Sequence, residues 1–244
     1  MKFRVTDNHL LAAPTWLMRL EGDTSSLVMP GQFVNIAVDG CFLRRPISVC
    51  DWDKEGMTLV YDVVGRGTAR MTQYARGEML DVISGLGNGF NPDVRCTSPL
   101  LIGGGIGIAP LVGLGRKLIE KGRIPTAILG YNSADRIVLK DMFDALGIPT
   151  IISTADGSAG IKGFVTDAIR QSHINYDYFY ACGPMPMLEA LCSALPTSGE
   201  LSLDVRMACG FGACMCCSLE TIDGPVCVCK QGPVFKKEIL LWKK

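Results

Sequence analysis

The chain has 244 residues, of which 48% are hydrophobic and 20% charged, as expected of a globular protein with room for two modest domains and a small appendix. Its 24 basic and 24 acidic residues give no net charge, which favours neither nucleic acid nor an anionic membrane surface as a partner. The 11 cysteines are an odd number and no secretory signal opens the chain, so we expect free thiols in a reducing cytosol rather than disulfides.

Residues 1–95 contain short β-rich segments. FVNIAV, ISVCDW and MTLVYDVV are separated by Gly, Asp or Pro turns. Apart from a short helix expected over residues 69–74, no amphipathic helix precedes residue 100. This spacing predicts a small antiparallel β-barrel as the first domain.

Residues 96–198 alternate strand and helix four times. The strands LLIGGG, TAILGYN, TIISTADG and YDYFYACGP are each followed by a helical segment. This alternation predicts a parallel sheet with crossover helices, that is, an α/β nucleotide-binding domain. Residues 196–200 are expected to form a linker to a third, small module over residues 199–244.

The first strand of this second domain ends in the glycine-rich sequence GGGIGIAPL. Gly103, Gly105 and Gly107 let the backbone approach a pyrophosphate, and the following helix offers free N–H groups to it. After the second strand, Asp135 suits a ribose diol and Arg136 suits a 2′-phosphate, so NAD and NADP both stay open. Cys182 ends the fourth strand, at the sheet edge where ligands of such domains bind.

Three cysteines near the C-terminus, Cys209, Cys214 and Cys217, have the C-x4-C-x2-C spacing of a plant-type [2Fe–2S] cluster. Cys227 and Cys229 both qualify as the fourth ligand by spacing. Structural zinc sites are usually built from two separated knuckles, whereas these three cysteines crowd into one short loop. The spacing therefore favours an iron–sulfur cluster.

A flavin is expected between a nicotinamide, which delivers two electrons at once, and a cluster that accepts one. No second glycine-rich strand–helix unit is present, so we place the flavin on the barrel. Arg45 suits a pyrophosphate, Pro46 stiffens the strand and Ser48 supplies a hydroxyl. Gly67 and Thr68 head a second anion-binding turn, and GLGNGF, residues 85–90, is expected to close the site.

These motifs together identify a resemblance that covers essentially the whole chain. They are RRPIS, GRGT, GNGF, GGGIGIAPL, TADGSAGIKGFVTD, ACGP, CGFGACMCC and CKQGPVF. The chain resembles the electron-transfer subunits of class 1B dihydroorotate dehydrogenase, within the ferredoxin-NADP reductase-like superfamily.

The resemblance implies roles for the matched residues. Residues 45–48, which are Arg45, Pro46, Ile47 and Ser48, correspond to the FAD-contacting strand. Gly67 and Thr68 correspond to the pyrophosphate-binding turn, and Cys182 to the cysteine that faces the nicotinamide. The short run ending in GPVF favours Cys229 over Cys227 as the fourth cluster ligand.

The resemblance also implies an electron path from NADH through FAD and the cluster to FMN in a separate catalytic subunit, with two copies of each subunit. The catalytic subunit interconverts dihydroorotate and orotate, and physiologically the path runs toward NAD⁺. Two other functions are considered for the chain. It could be a reductase that supplies electrons to an oxygenase, or a nucleotide-binding module that is held together by zinc (zinc-stapled) and has no redox function.

Overall fold

The computed structural model describes residues 1–242, which begin with a closed six-stranded barrel. All its neighbouring strands are antiparallel, in the order β1-β2-β5-β4-β3-β6. The strands are β1 (Lys2–Ala12), β2 (Thr15–Glu21), β3 (Phe33–Ile36), β4 (Arg45–Trp52), β5 (Gly56–Asp62) and β6 (Met79–Leu86). In β1, Phe3 and Val5 point inward between exposed Lys2 and Arg4, as strand alternation requires. The predicted barrel is confirmed.

A single short helix, α1 (Arg66–Met71), interrupts the barrel between β5 and β6. It begins three residues before the helix expected over residues 69–74. Thr68 explains the difference because its Oγ1 accepts hydrogen bonds from the backbone N–H groups of Val64 (2.9 Å) and Gly65 (3.2 Å). These bonds satisfy donors at the helix start that would otherwise lack a partner.

A parallel sheet follows the barrel, in the strand order β10-β9-β8-β7-β11-β12. Its strands are β7 (Pro99–Gly104), β8 (Thr126–Tyr131), β9 (Thr150–Thr154), β10 (Ile161–Lys162), β11 (Tyr178–Cys182) and β12 (Gly199–Ser202). The crossover helices are α2 (Ala109–Glu120), α3 (Lys140–Ala145), α4 (Val165–Ser172) and α5 (Met185–Ala194). The strand–helix alternation is therefore confirmed. None of the helices described within residues 1–242 is both long and apolar enough to cross a bilayer.

The linker expected over residues 196–200 is wrong in its second half. Gly199 and Glu200 are buried residues of β12, which pairs in parallel with β11. Further along, the chain forms a hairpin of β13 (Ser218–Thr221) and β14 (Gly224–Cys227), the turn α6 (Val228–Gln231) and β15 (Val234–Lys236). Because β15 pairs antiparallel with β12, the C-terminal segment extends the nucleotide-domain sheet. The division of the chain after residues 95 and 198 stays a prediction.

The barrel and the parallel sheet are joined along α2, which packs on β4. The Arg116 guanidinium on α2 contacts the Asp51 carboxylate on β4 through Nη2 at 2.5 Å and Nε at 2.9 Å. Arg116 also donates to the carbonyl of Trp52 at 2.9 Å and lies over the Trp52 ring. Since Arg116 and Asp51 are each only 25% exposed, this contact is more than a solvated ion pair and fixes α2 on the strand.

Asn88, in the GLGNGF segment, joins the end of the barrel to the C-terminal segment. Its Nδ2 donates to the carbonyls of Gln231 (2.9 Å) and Val234 (2.7 Å), and its Oδ1 accepts from the N–H of Val234 (2.9 Å). Asn88 therefore holds the chain that follows the last cysteines. The expectation that the GLGNGF segment closes a flavin site stays a prediction.

Replacing Asn88 with Leu removes three hydrogen bonds and leaves backbone groups of residues 231 and 234 without that partner. Each of these hydrogen bonds contributes about 1 kcal/mol to the free energy of unfolding. Because water can replace part of this loss, we expect the free energy of unfolding to fall by about 2 kcal/mol. The melting temperature should then fall by about 5 °C. Asn175→Leu, at an exposed position before β11, is the control and should leave it unchanged. Equal melting temperatures for the two variants would contradict this role.

Candidate functional site

The glycine-rich sequence forms a tight turn at the carboxyl end of β7. Gly103 and Gly104 end the strand, Gly105 opens a 3-10 turn over Gly105–Ile108, and α2 follows directly. A Cβ at Gly107 would lie 2.6 Å from the carbonyl oxygen of Cys182, so only glycine lets this turn pack against the end of β11. The turn and Cys182 therefore share one edge of the sheet, as the sequence predicted.

Cys182 lies in register between Gly103 of β7 and Ser202 of β12. It is 7% exposed, and burial raises the pKa of its thiol to about 12, against the smaller opposing effect of a hydrogen bond with Ser202. The thiol is therefore neutral at physiological pH. Because the thiolate is the nucleophilic form, a neutral Cys182 thiol can line a ligand site but is a poor nucleophile.

The two residues proposed to distinguish NAD from NADP have different surroundings. Arg136 donates to the carbonyl of Ala13 in the barrel at 2.7 Å and lies 4.0 Å from Asp62. Asp135 is exposed and accepts a hydrogen bond from the Ser133 hydroxyl at 2.5 Å. Because Arg136 is engaged with the barrel while Asp135 faces solvent, the arrangement favours a ribose diol over a 2′-phosphate.

Arg44 and Arg45 are adjacent in sequence but differ in their partners. Arg44 forms an ion pair with Asp81 at 3.0 Å and also donates to the Asp81 carbonyl. Among the described residues, Arg45 donates hydrogen bonds to the backbone carbonyls of Leu43 and Arg44 and forms no ion pair with a carboxylate. Arg45 is therefore the arginine that has a charge available for an anionic ligand.

The guanidinium of Arg45 lies directly on Gly67 of α1. A Cβ at Gly67 would come within 1.9 Å of Arg45 Nε, so a larger residue there would displace the arginine. Thr68 follows, buried, with its hydroxyl on the backbone at the helix start. The predicted flavin strand and the predicted anion-binding turn therefore meet, which fits a pyrophosphate held between them.

The other residues of the predicted flavin strand are half-buried on β4. Pro46, Ile47 and Ser48 stand opposite Asn35, Val34 and Phe33 of β3, respectively. Ile47 packs partly against the core of the barrel. The side chains of this strand are thus positioned by β3.

The four predicted cluster ligands approach one another in two pairs. Cys214 lies close enough to Cys209 to contribute to the lowered pKa of the Cys209 thiol. Cys217 contributes to the raised pKa of the Cys229 thiol, and the backbone N–H of Cys229 donates to Cys217 Sγ at 3.3 Å. Within residues 1–242, no group of three or more His, Cys, Asp or Glu side chains is arranged to hold a single metal ion. Two pairs suit four thiolates that are shared between two irons.

Backbone N–H groups lower the pKa of the Cys209 thiol. Hydrogen bonds from the backbone at Phe211, and then at Cys214 and Ala213, lower its pKa to about 6, and the Ala213 bond measures 3.3 Å. Burial and the neighbouring Cys217 instead raise the pKa of Cys229 to about 12. Donors aimed at sulfur stabilise a thiolate and are among the groups that tune a bound cluster.

The remaining cysteines of this segment are turned elsewhere. Cys227 Sγ contacts the Met215 sulfur at 2.9 Å, while Cys216 is exposed. α6 begins directly after Cys227, and this turn brings Cys229 to Cys217 while Cys227 stays with Met215. The geometry therefore favours Cys229 as the fourth ligand, in agreement with the resemblance.

Two asparagines that connect the barrel to the C-terminal segment were missed by sequence reasoning. One is Asn88, and the other is Asn35, whose side chain donates to the carbonyl of Cys209. Neither belongs to a spacing pattern, because each acts on residues more than 140 positions away. Only the glycine next to Asn88, in the GNGF motif, hinted at a constrained turn.

Two family models match the chain. The model described as the iron-sulfur cluster binding domain of dihydroorotate dehydrogenase B matches residues 204–241, and the oxidoreductase NAD-binding domain matches residues 101–193. The first match covers all the cysteines of the C-terminal segment, from Cys209 to Cys229. It favours an iron–sulfur cluster over a zinc-stapled module.

Curated relatives match over nearly the full length. Dihydroorotate dehydrogenase B (NAD(+)), electron transfer subunit, of Fusobacterium nucleatum subsp. nucleatum is 40% identical, and the alignment covers 95% of this chain and 94% of the relative. The subunit of the same name from Bacillus pumilus is also 40% identical, with 96% and 95% covered. A solved NADH-dependent reduced ferredoxin-NADP oxidoreductase superposes with a TM-score of 0.88 at 28% identity, covering 98% of this chain and 90% of that one.

Serine substitutions distinguish the two candidates for the fourth ligand. Cys229→Ser should lose most of the iron, because it removes a thiolate from the pair with Cys217. Cys227→Ser should keep iron at the wild-type level, because Cys227 faces Met215. Iron and sulfide analysis of anaerobically purified protein measures both. Retained iron in Cys229→Ser together with lost iron in Cys227→Ser would assign the ligand to Cys227 instead.

Proposed function

The chain belongs to the electron-transfer subunits of dihydroorotate dehydrogenase B, and on this premise we propose how its residues pass electrons between NAD and the FMN of a separate catalytic subunit in pyrimidine biosynthesis. The observation that carries the proposal is the position of β4. The strand with the candidate flavin residues packs against α2, which follows the nucleotide turn, and against β3, which contacts the cysteine loop through Asn35. Relatives of this class over the whole chain favour this function over the reductase of an oxygenase.

The chain would hold FAD and a [2Fe–2S] cluster, the first exchanging a hydride with the nicotinamide and single electrons with the second. Arg45 would bind the FAD pyrophosphate through its unpaired guanidinium, with Gly67 and Thr68 closing the turn beside it. Pro46, Ile47 and Ser48 would lie along the ring system, with the Ser48 hydroxyl as hydrogen-bonding group. The rigid pairing of β4 with β3 supports this placement.

The nucleotide would bind at the carboxyl edge of the parallel sheet. The turn from Gly103 through Gly105 to Gly107 would receive the pyrophosphate at the start of α2. Asp135 would hold the ribose diol, which selects NAD over NADP. The neutral Cys182 thiol would border the nicotinamide and keep that end of the site free of charge.

Cys209, Cys214, Cys217 and Cys229 would bind the irons in the two pairs described above. Around them the surface is partly apolar, since Phe211, Met215 and Ile222 are 55%, 57% and 60% exposed. This apolar rim supports a docked partner at the cluster. We propose that the partner is an FMN-containing catalytic subunit in a cytoplasmic heterotetramer with two copies of each chain.

The function is tested by spectroscopy on the purified, cofactor-loaded chain. NADH added without oxygen should bleach the flavin absorption and produce the EPR signal of a reduced cluster. Dihydroorotate should change neither signal until the catalytic subunit is added. Turnover of dihydroorotate by this chain alone, or a cluster that NADH leaves oxidised, would contradict the proposed division of labour.

The two neighbouring arginines offer a matched test of the flavin site. Arg45→Met should weaken FAD binding by about 10- to 100-fold, the equivalent of a lost charge-assisted contact to phosphate. Arg44→Met should retain FAD affinity and lower the stability instead, because it breaks the ion pair with Asp81. Fluorescence titration of the deflavinated protein with FAD measures the first effect, and thermal melting the second. Equal affinities of Arg45→Met and wild type would remove Arg45 from the site.

A further inference from the structure

Asn35 is a buried polar residue in an otherwise apolar strand. In β3, Phe33, Val34 and Ile36 pack into the cores of the protein, while Asn35 is only 1% exposed. Its backbone stands opposite Pro46 of β4 and Ile83 of β6. Burying an amide costs free energy unless its hydrogen bonds are satisfied, so packing alone would favour another apolar residue here.

The Asn35 side chain points at the cysteine loop. Its Nδ2 donates to the carbonyl of Cys209 at 2.9 Å, across 174 positions of sequence. A carbonyl only accepts hydrogen bonds, so this partner fixes which end of the amide is the nitrogen. Asn35 Oδ1 is buried and has no hydrogen-bond partner within the described residues. Only the nitrogen end of this buried amide has a hydrogen-bond partner. A buried oxygen without a partner lowers the stability of the fold, so stability by itself does not explain an asparagine at this position.

Gly210 is shaped to receive this contact. Its φ is +77°, and a Cβ there would lie 2.5 Å from Asn35 Nδ2. Any other residue would strain the backbone and push the amide away from the Cys209 carbonyl. The glycine after the first cysteine is therefore explained by Asn35 as well as by the bend of the loop.

We propose that Asn35 is a positioning residue for electron transfer between flavin and cluster. Its backbone belongs to the strand that aligns Pro46, Ile47 and Ser48, and its side chain holds the carbonyl of Cys209. Holding that carbonyl orients the peptide after Cys209 and the loop that carries the Ala213 N–H, which donates to the Cys209 sulfur at 3.3 Å. One side chain thus sets both the separation of the two sites and the hydrogen bonding of a cluster ligand. This inference rests on the proposed function.

The test replaces Asn35 with Leu, which matches it in shape but cannot donate. Relative to wild type, Asn35→Leu should keep its iron, shift the EPR g-values and the midpoint potential of the cluster, and slow cluster reduction after NADH by about tenfold, since small displacements of reacting groups are costly. Asn35→His, which places an N–H donor at the same distance along the side chain, should restore the spectrum and most of the rate.

Asn88→Leu is the matched control because it breaks a barrel contact to the segment after Cys229, not to a ligand's own carbonyl. The EPR spectrum and the rate of cluster reduction in Asn88→Leu should stay at wild-type values, although its melting temperature falls. If Asn35→Leu assembles no cluster, Asn35→Ser decides by the same criteria, since its side chain is too short to reach Cys209.

The positioning role of Asn35 is contradicted if Asn35→Leu, or Asn35→Ser in its place, has the wild-type EPR spectrum, cluster midpoint potential and rate of cluster reduction. It is also contradicted if Asn88→Leu changes these three properties as much as Asn35→Leu does. A third contradicting result is that Asn35→His fails to restore the EPR spectrum and the rate. Failure of the proposed function has a separate signature, because wild-type protein would then give no reduced-cluster signal with NADH.

Discussion

The position of β4 is the constraint on which the arrangement of this protein depends. On one side, α2 is fixed to it by the Arg116 guanidinium on the Asp51 carboxylate, with both groups largely shielded from solvent. On the other side it pairs with β3, which reaches the cysteine loop through the Asn35 amide. The helix that follows the nucleotide turn and the loop that carries Cys209 are thereby both connected to the barrel near one strand. Electron transfer requires fixed separations, and the fold supplies them through this strand.

The same chemical group behaves differently at each site because its surroundings differ. The Cys209 thiol receives backbone N–H groups and has a pKa lowered to about 6, whereas burial raises that of Cys182 to about 12. The first therefore suits a thiolate ligand and the second a neutral wall beside a nucleotide. Likewise, Arg44 is neutralised by Asp81, while the neighbouring Arg45 keeps a charge for an anionic ligand. Residue type alone assigns none of these roles.

Short local patterns in the sequence predicted much of the fold. The strand–helix alternation predicted the parallel sheet and the closely spaced β-segments predicted the barrel. The GGGIGIAPL and C-x4-C-x2-C motifs lie within the segments that match the NAD-binding and iron-sulfur family models. Each signal lies within a short stretch of chain, where backbone preference, glycine and ligand spacing act directly. The expected linker was wrong for the opposite reason, since residues 199 and 200 become a strand only because β11 and β15 pair with it.

Only the tertiary structure decided how the modules meet. Asn35 contacts Cys209, Asn88 contacts Val234 and Arg116 contacts Asp51 across 174, 146 and 65 positions, respectively. Contacts of that range depend on how strands and helices pack, so no spacing in the sequence encodes them. The structure also adds support for Cys229 over Cys227 as the fourth ligand, which the ligand spacing leaves open. The backbone N–H of Cys229 donates to Cys217 Sγ, whereas Cys227 Sγ contacts the Met215 sulfur.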